Sequence, residues 1–411
     1  DQLIALKKYD EATNYFTRLR EIDQDETRYI IALAELSKIR KDYLSAVNFY
    51  LEAYQVEPSR IELLESAGRY ALQLKNKSKA KDIFKDLSLQ NPSQQNYINI
   101  YSELAIQSNS FEEAISHLQK LIADNGESSN LKAQIGILYH ASGESEKGKN
   151  ILRDLFDKKE LNAQYSLSLF EIYFDSKDNL SAAKISDDII TSFPEDWRGY
   201  YSRSLVFMDE NEYKAAINII DPVSETFSNI FSIQYILGLC YSRIKMSDEA
   251  INFYNRAITI RPNSINVLHS IAILYDEIGE WIKSDKIYDQ LIKNNPNDAQ
   301  AYNNYAYSLV ERNQDLQRAL SYAKKAINLE PENPSYLDTI GWAYYKMNDI
   351  KKARTFIEKS IEIQGDNSVV LEHLGDILMK FNDSAKALVL YKKAYELDKE
   401  NFQLKKKAYP D

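Results

Sequence analysis

Small and large apolar residues recur along this chain with a period of 34 residues. The period appears when the sequence is divided into frames beginning at Thr27, Ile61, Gln95, Ser129, Ala163, Trp197, Phe231, Ile265, Ala299, Pro334 and Ser368. One residue is inserted within residues 311–318, so the eleven frames run from residue 27 to residue 401. A fixed period of this length indicates a repeat protein, in which each repeat packs on its neighbours.

Two columns of the frame hold small residues. Position 20 is Ala, Gly or Ser in all eleven frames, and position 8 is small in every frame except the one with Phe170. Small residues in two such columns allow two antiparallel helices to approach closely. Position 24 is aromatic in five frames and Leu or Ile in four more, and six of the nine prolines lie at position 32, where a second helix must end. Each frame therefore predicts a helix pair.

The composition favours a helical fold and argues against several classes of function. The 411 residues include only 11 Gly and 9 Pro, so turn residues are scarce and a mostly helical chain is expected. The net charge of −10 argues against a nucleic-acid-binding protein. One cysteine, Cys240, and four scattered histidines predict no metal site and no cofactor, and we interpret Cys240 as a packing residue. No apolar run approaches the roughly 18 residues of a membrane span, so no direct membrane insertion is expected.

The frame that begins at Phe231 carries a recognisable signature. It consists of Leu237, Gly238, Tyr241, Ala250, Tyr254, Ala257 and Pro262. This pattern resembles the tetratricopeptide repeat (TPR), and the resemblance covers essentially the whole chain. It implies an all-α fold, a right-handed TPR superhelical solenoid of about twelve helix-turn-helix repeats.

The frames predict five segments. These are a partial repeat (1–26), regular N-terminal repeats (27–162), irregular repeats (163–230), C-terminal repeats with the main groove (231–401) and a cap helix or truncated repeat (402–411). In the irregular segment Phe170 and Ser186 depart from columns 8 and 24, and Arg203 stands at a usually apolar position. We expect either a soft joint there or an intact solenoid with compensating substitutions. Because Asp1 already looks like the middle of a structural unit, the native N-terminus, with any signal or anchor, is expected to lie outside this sequence.

The resemblance also implies which residues face the groove. In this family, positions 2, 5, 9, 12 and 13 line the inner surface, and across the eleven frames they hold thirteen acids and seven bases. A net charge of −6 favours a neutral or basic partner segment and disfavours phosphate. The alternative is that these charges only keep the surface soluble.

Aromatic residues at the groove positions are absent from the first four frames, which places the expected binding centre in the C-terminal half. The candidate protein-binding residues are Tyr235, His269, Asn303, Tyr307, Asp338, Trp342, Tyr345 and Glu372. Their polar groups are expected to bond an extended peptide while the rings hold its side chains. If the rings are exposed, truncating Trp342 and Tyr307 should leave stability nearly unchanged. The competing interpretation is that the rings pack between helices.

Specialised sites of this family are not matched. No three consecutive frames carry the lysine and asparagine set of a chaperone-tail clamp, and Asn304 stands without the neighbours of an asparagine ladder. Ten of the eleven glycines fit the repeat pattern, which leaves no phosphate-binding loop, and the histidines fall in separate frames. No catalytic residues are predicted.

Residues 301–362 resemble a repeat pair common in bacterial TPR proteins, many of them exported or lipoprotein-anchored. The expected function is a non-catalytic protein–protein interaction scaffold that assembles a bacterial multiprotein complex. The location is undetermined, with the periplasmic side of the cell envelope favoured over the cytoplasm. Alternatives are a substrate-recruiting or regulatory arm of a larger enzyme, and a structural protein that self-associates.

Overall fold

The computed structural model describes residue 3, residues 6–24 and residues 26–410. These residues form 24 α-helices and one short 3₁₀ helix, and no strand occurs among them. The chain divides into two compact units between Val206 and Phe207. The prediction of an all-α repeat fold is confirmed.

The first unit contains α1 and the helix pairs that follow it. Its helices are α1 (Tyr9–Ile22), α2 (Thr27–Ile39), α3 (Tyr43–Val56), α4 (Ile61–Gln73), α5 (Lys77–Gln90), α6 (Gln95–Gln107), α7 (Phe111–Asn125), α8 (Ser129–Ala141), α9 (Ser145–Asp157), α10 (Ala163–Asp175) and α11 (Asn179–Ser192). Helix α12 (Trp197–Asp209) runs across the division.

The second unit continues the same alternation of first and second helices. Its helices are α13 (Tyr213–Ile220), α14 (Phe231–Arg243), α15 (Ser247–Ile260), α16 (Ile265–Glu277), α17 (Trp281–Asn294), α18 (Ala299–Glu311), α19 (Leu316–Leu329), α20 (Pro334–Lys346), α21 (Ile350–Gln364), α22 (Ser368–Lys380), α23 (Ser384–Leu397) and α24 (Phe402–Ala408). All eleven frames begin at the first residue of an even-numbered helix. The 34-residue period therefore marks helix pairs.

The turn between the two helices of each pair has the same backbone feature in all eleven frames. Residue 15 of every frame is Lys, Asn or Gly with a positive φ between 52° at Asn313 and 95° at Gly143. In the first frame the next amide, that of Asp42, donates to the Ser37 carbonyl at 2.9 Å and closes the helix end. The Asp42 carboxylate then accepts the Ser45 amide at 3.1 Å and caps the second helix. One turn thus ends one helix and begins its partner.

The small columns sit where the two helices of a pair touch. A Cβ added at Gly238 would lie 2.5 Å from the Tyr254 ring, so a side chain at position 8 competes with the position-24 ring for one space. In the frame of α10 and α11 the roles are exchanged. Phe170 is large and Ser186 is small, and both are buried. Whether the two substitutions compensate for each other stays a prediction.

The segment 163–230 also contains an irregular second helix. Helix α13 has 8 residues and passes into a 3₁₀ helix (Asp221–Val223), whereas its counterparts have 13 to 15. The Arg203 side chain is mostly buried and pairs with Asp187 at 2.9 Å, which satisfies its charge. The soft joint stays a prediction.

Each of the two end segments contains a helix, α1 and α24 respectively. In the partial repeat Ala12 is buried on α1, at the expected small position. Residues 1, 2, 4, 5, 25 and 411 lie outside the described residues. Near the other end, Leu404 and Ala408 bury α24 against the preceding pair.

Candidate functional site

A cleft of about 660 Å³ lies in the second unit, on the side of the first helices α16, α18, α20 and α22. Second helix α17 and the end of α21 complete its wall. The lining residues are Ile273, Asp276, Glu277, Trp281, Tyr288, Asn303, Asn304, Tyr307, Ser308, Glu311, Arg312, Ser335, Asp338, Thr339, Gln364, Asn367, Val369 and Val370. Four carboxylates, which only accept hydrogen bonds when they are ionised, lie along this wall.

Asp276 is the hydrogen-bond centre on the α16 side of the cleft. Its carboxylate accepts the hydroxyls of Ser284 at 2.5 Å, Tyr288 at 3.0 Å and Ser308 at 2.8 Å. Ser284 and Tyr288 belong to α17, and Ser308 belongs to α18. The carboxylate therefore joins three helices through neutral donors, which fix its position.

The Trp342 ring of α20 is buried against neighbouring helices, with 6% of the residue's surface exposed. It stacks on Tyr345 at 4.5 Å and on His373 at 3.9 Å between ring centroids. Its Nε1 donates to Glu311 at 2.6 Å. The expectation of an exposed ring whose loss spares stability is therefore corrected: position 9 of this repeat is covered by the next repeat, and the ring packs between helices.

The polar residues at position 5 bond to partners on, or at the cap of, the first helix of the next repeat. His269 lies 3.1 Å from Asp298, and Asp338 lies 2.8 Å from His373, with all four side chains buried. A buried polar group needs such a partner, so these contacts connect successive repeats. Of these four residues, only Asp338 also reaches the cleft wall.

The remaining predicted residues have separate surroundings. Tyr235 stacks on Phe231 at 5.8 Å, and Glu372 pairs with Lys407 of α24 at 2.8 Å. Glu372 is thus engaged within the chain by helix α24. Among the eight predicted residues, the structure brings Asn303, Tyr307 and Asp338 together in the cleft, whereas Tyr235, His269, Trp342, Tyr345 and Glu372 are not part of its lining. Whether any of the eight binds a partner stays a prediction.

Tyr307 and Asn303 lie one turn apart on α18 and face the cleft. Burial raises the pKa of the Tyr307 hydroxyl, and the carboxylates of Glu311, Asp338 and Glu372 raise it further. This phenol therefore stays protonated and can donate a hydrogen bond. The Asn303 amide nitrogen donates to Asn304 Oδ1 at 3.3 Å, but its own Oδ1, although buried, has no hydrogen-bond partner among the described residues.

Three of the cleft acids lack the basic partner that Glu372 has. Within the described part of the chain, no lysine or arginine pairs with Asp276, Glu277 or Glu311. By contrast, Lys407 holds Glu372, and Arg312, the one lining base, is engaged with Asp285. The cleft consequently carries a local excess of negative charge.

Sequence reasoning missed one part of the wall. Trp281 and Tyr288 come from α17, a second helix, whereas the groove positions were taken from first helices alone. Trp281 is 45% exposed and lies 5.9 Å from the Arg312 guanidinium. Asp276, Glu277 and Glu311 stood among the thirteen groove acids, and the signal that could have selected them was their clustering in two consecutive frames.

The single cysteine of the chain is not part of the cleft lining. Cys240 is buried, and burial raises the pKa of its thiol to about 12.

Among the described residues, no cluster of His, Cys, Asp and Glu is arranged to hold a metal ion. None of the described helices is long and apolar enough to span a membrane.

Family comparison supports the repeat assignment. Models of the tetratricopeptide repeat match residues 231–264, 287–321, 334–367 and 370–401. Two of these matches, 231–264 and 334–367, coincide with predicted frames that begin at α14 and α20. The chain is a tetratricopeptide repeat protein. No curated protein sequence matches it.

Two solved structures with TM-scores above 0.5 agree on the fold of this TPR protein. A tetratricopeptide repeat protein from Parabacteroides merdae is 14% identical with a TM-score of 0.54, covering 60% of this chain and 97% of that one. The structure titled APC/C hetero-tetramer Cut9-Hcn1 is 11% identical with a TM-score of 0.51, covering 99% of this chain and 94% of that one. Yeast Tom70 is 18% identical with a TM-score of 0.46, covering 99% and 93%.

Proposed function

We propose that this TPR protein is a non-catalytic scaffold that binds an extended segment of a partner protein in the cleft of α16, α18, α20 and α22. TPR proteins bind protein partners, and their fold is generally non-enzymatic. The observation that supports this assignment is the cleft of about 660 Å³, open on the first-helix side, with exposed apolar and unpartnered polar groups in one wall. Such a wall suits a peptide, whose backbone needs hydrogen bonds and whose side chains need apolar contacts.

The assembly of a bacterial multiprotein complex is the finer part of the proposal. It rests on the resemblance of residues 301–362 to a repeat pair of bacterial proteins, and those residues span α18 to α21, which build most of the cleft. The excess of acids in the cleft favours a neutral or basic segment.

Site-specific crosslinking tests the proposal. A photoreactive phenylalanine analogue replaces Val369, which lines the cleft and is 45% exposed, in cells of the native organism. The control carries the analogue at Leu180, which is 85% exposed on α11. We expect adducts with a defined partner segment from Val369 alone. A synthetic copy of that segment should bind the purified chain and lose affinity with Tyr307→Ala. Equal adducts at both positions would contradict the proposal.

Self-association is the second candidate. The observation that favours it is a group of exposed apolar side chains on and beside α24: Leu397 at 55%, Phe402 at 64% and Tyr409 at 50%. Light scattering over a hundredfold range of concentration separates the two. Self-association is supported if the mass rises with concentration and this rise is lost in the Phe402→Glu variant. A mass that stays constant with concentration would contradict self-association. A recruiting arm of a larger enzyme would use the same cleft, and the identity of the crosslinked partner would reveal it.

A further inference from the structure

Resting on the proposed function, we infer that the cleft is a subsite for one arginine side chain of the bound segment. Its guanidinium is held by the carboxylates of Asp276 and Glu311 and by the amide oxygen of Asn303. This assignment goes beyond a general preference for basic segments, because it names the side chain and the groups that receive it.

The first observation is the unpartnered acceptor. Asn303 is 7% exposed and lines the cleft, and its Oδ1 has no donor among the described residues, although its Nδ2 is already used by Asn304. A buried acceptor without a donor is costly, by roughly 1–3 kcal/mol in proteins generally. The Asn303 oxygen is therefore suited to accept a hydrogen bond from a bound segment.

The second observation is the geometry of α18. Asn303, Tyr307 and Glu311 are spaced by four residues and so lie in a row along one helical face, which is the cleft face. Ser308 of the same helix donates to Asp276 at 2.8 Å, which ties the α16 carboxylate to this row. Amide, phenol and two carboxylates thereby line one wall.

The third observation is charge. Asp276 receives three hydroxyls and Glu311 receives the Trp342 indole N–H, so both carboxylates are positioned by neutral donors alone. Elsewhere in the same unit, Lys407 of α24 holds Asp376 at 2.7 Å and also pairs with Glu372. The chain neutralises the acids of its last repeat from within and leaves those of the cleft to an external cation.

The shape of the wall selects arginine among cations. A guanidinium presents five donors in a plane, enough for two carboxylates and an amide oxygen, and its flat face stacks on aromatic rings. Tyr307 and Trp281 supply such rings, and Ile273 and Val369 are partly exposed beside them for the aliphatic stem. An ammonium has three donors and no planar face.

A peptide selection with charge-neutral variants tests the inference. A phage-displayed library of random twelve-residue peptides is selected on the full chain, and the enriched peptides are synthesised for calorimetry. Asp276→Asn with Glu311→Gln removes both charges and keeps one acceptor oxygen at each position. Glu362→Gln with Glu400→Gln changes the net charge equally at exposed acids outside the cleft.

We expect enriched peptides with an essential arginine. Its replacement by citrulline, the neutral isostere, should weaken binding at least about tenfold, replacement by lysine should weaken it less, and the cleft variant should bind arginine and citrulline peptides equally. The control pair should bind as the parent does.

Two results would overturn the inference, and they are distinguishable. Peptides that are lost with Tyr307→Ala but contain no basic residue, or tolerate citrulline, would leave the proposed function standing without the arginine subsite. If no enriched peptide depends on the cleft, the proposed function fails as well. Circular dichroism of every variant establishes that each one is folded.

Discussion

Replacing Trp342 with alanine should destabilise the repeats around α20 rather than merely weaken partner binding. The ring is 6% exposed, stacks between Tyr345 and His373, and donates to Glu311 at 2.6 Å. Truncation of a buried aromatic residue costs about 3–5 kcal/mol, which includes the cavity that remains. We therefore expect a loss of about 4 kcal/mol in the local free energy of unfolding.

Two variants separate packing from hydrogen bonding and exposure. Trp342→Phe keeps most of the ring but removes the N–H donor to a carboxylate, a bond worth about 1.5–3 kcal/mol, so its loss should fall below that of Trp342→Ala. Trp281→Ala removes the same side chain at 45% exposure, and we expect less than about 1 kcal/mol.

Hydrogen exchange followed by mass spectrometry is the appropriate assay. Repeat proteins open locally, so a single unfolding transition is not assumed, and exchange reports each helix pair separately. Trp342→Ala should lower protection in peptides from α20 and α22, while peptides from α2 to α8 keep theirs. Unchanged protection of α20 would show that the ring is exposed and would restore its role as a groove residue.

Three further predictions concern the packing columns and one buried histidine. Phe170→Ala should cost about 3–5 kcal/mol, and adding Ser186→Phe should recover more than half, as read from urea unfolding; additive losses would show that the two residues do not share one space. Gly238→Ala should lower the melting temperature by a net destabilisation of about 1–2 kcal/mol, despite the better helix propensity of alanine, because the added Cβ meets Tyr254; a rise would contradict this. Burial, together with the charge of Lys85, lowers the pKa of His117 to about 4. The neutral ring therefore contributes fully to stability above about pH 6.5, the ordinary pKa of histidine, and this contribution is lost as the pH falls through about 4. Proton NMR titration of this ring should show that midpoint, and a value near 6.5 would refute the burial.

Much of the fold can be predicted from the sequence, because it depends on interactions within one repeat. The helix starts followed from the 34-residue period, and the Lys, Asn and Gly residues at position 15 supply the left-handed turn each time. The exchange of Phe170 and Ser186 is visible in the sequence as a departure from the two columns, and the structure adds that both side chains are buried. These features depend on contacts within one repeat, so they are encoded by short spacings.

The sequence by itself determined the helix pairs, their small contact columns and the acidic character of the inner positions. Only the tertiary structure decided which of those positions stay open. Trp342 and His269 occupy groove positions, yet both are covered, Trp342 by His373 of the next repeat and His269 by Asp298, which caps α18. Asn303 and Asp276 reach the cleft. Exposure at these positions depends on how successive repeats stack, and that stacking arises from many contacts between residues about 30 positions apart rather than from the period of any one helix.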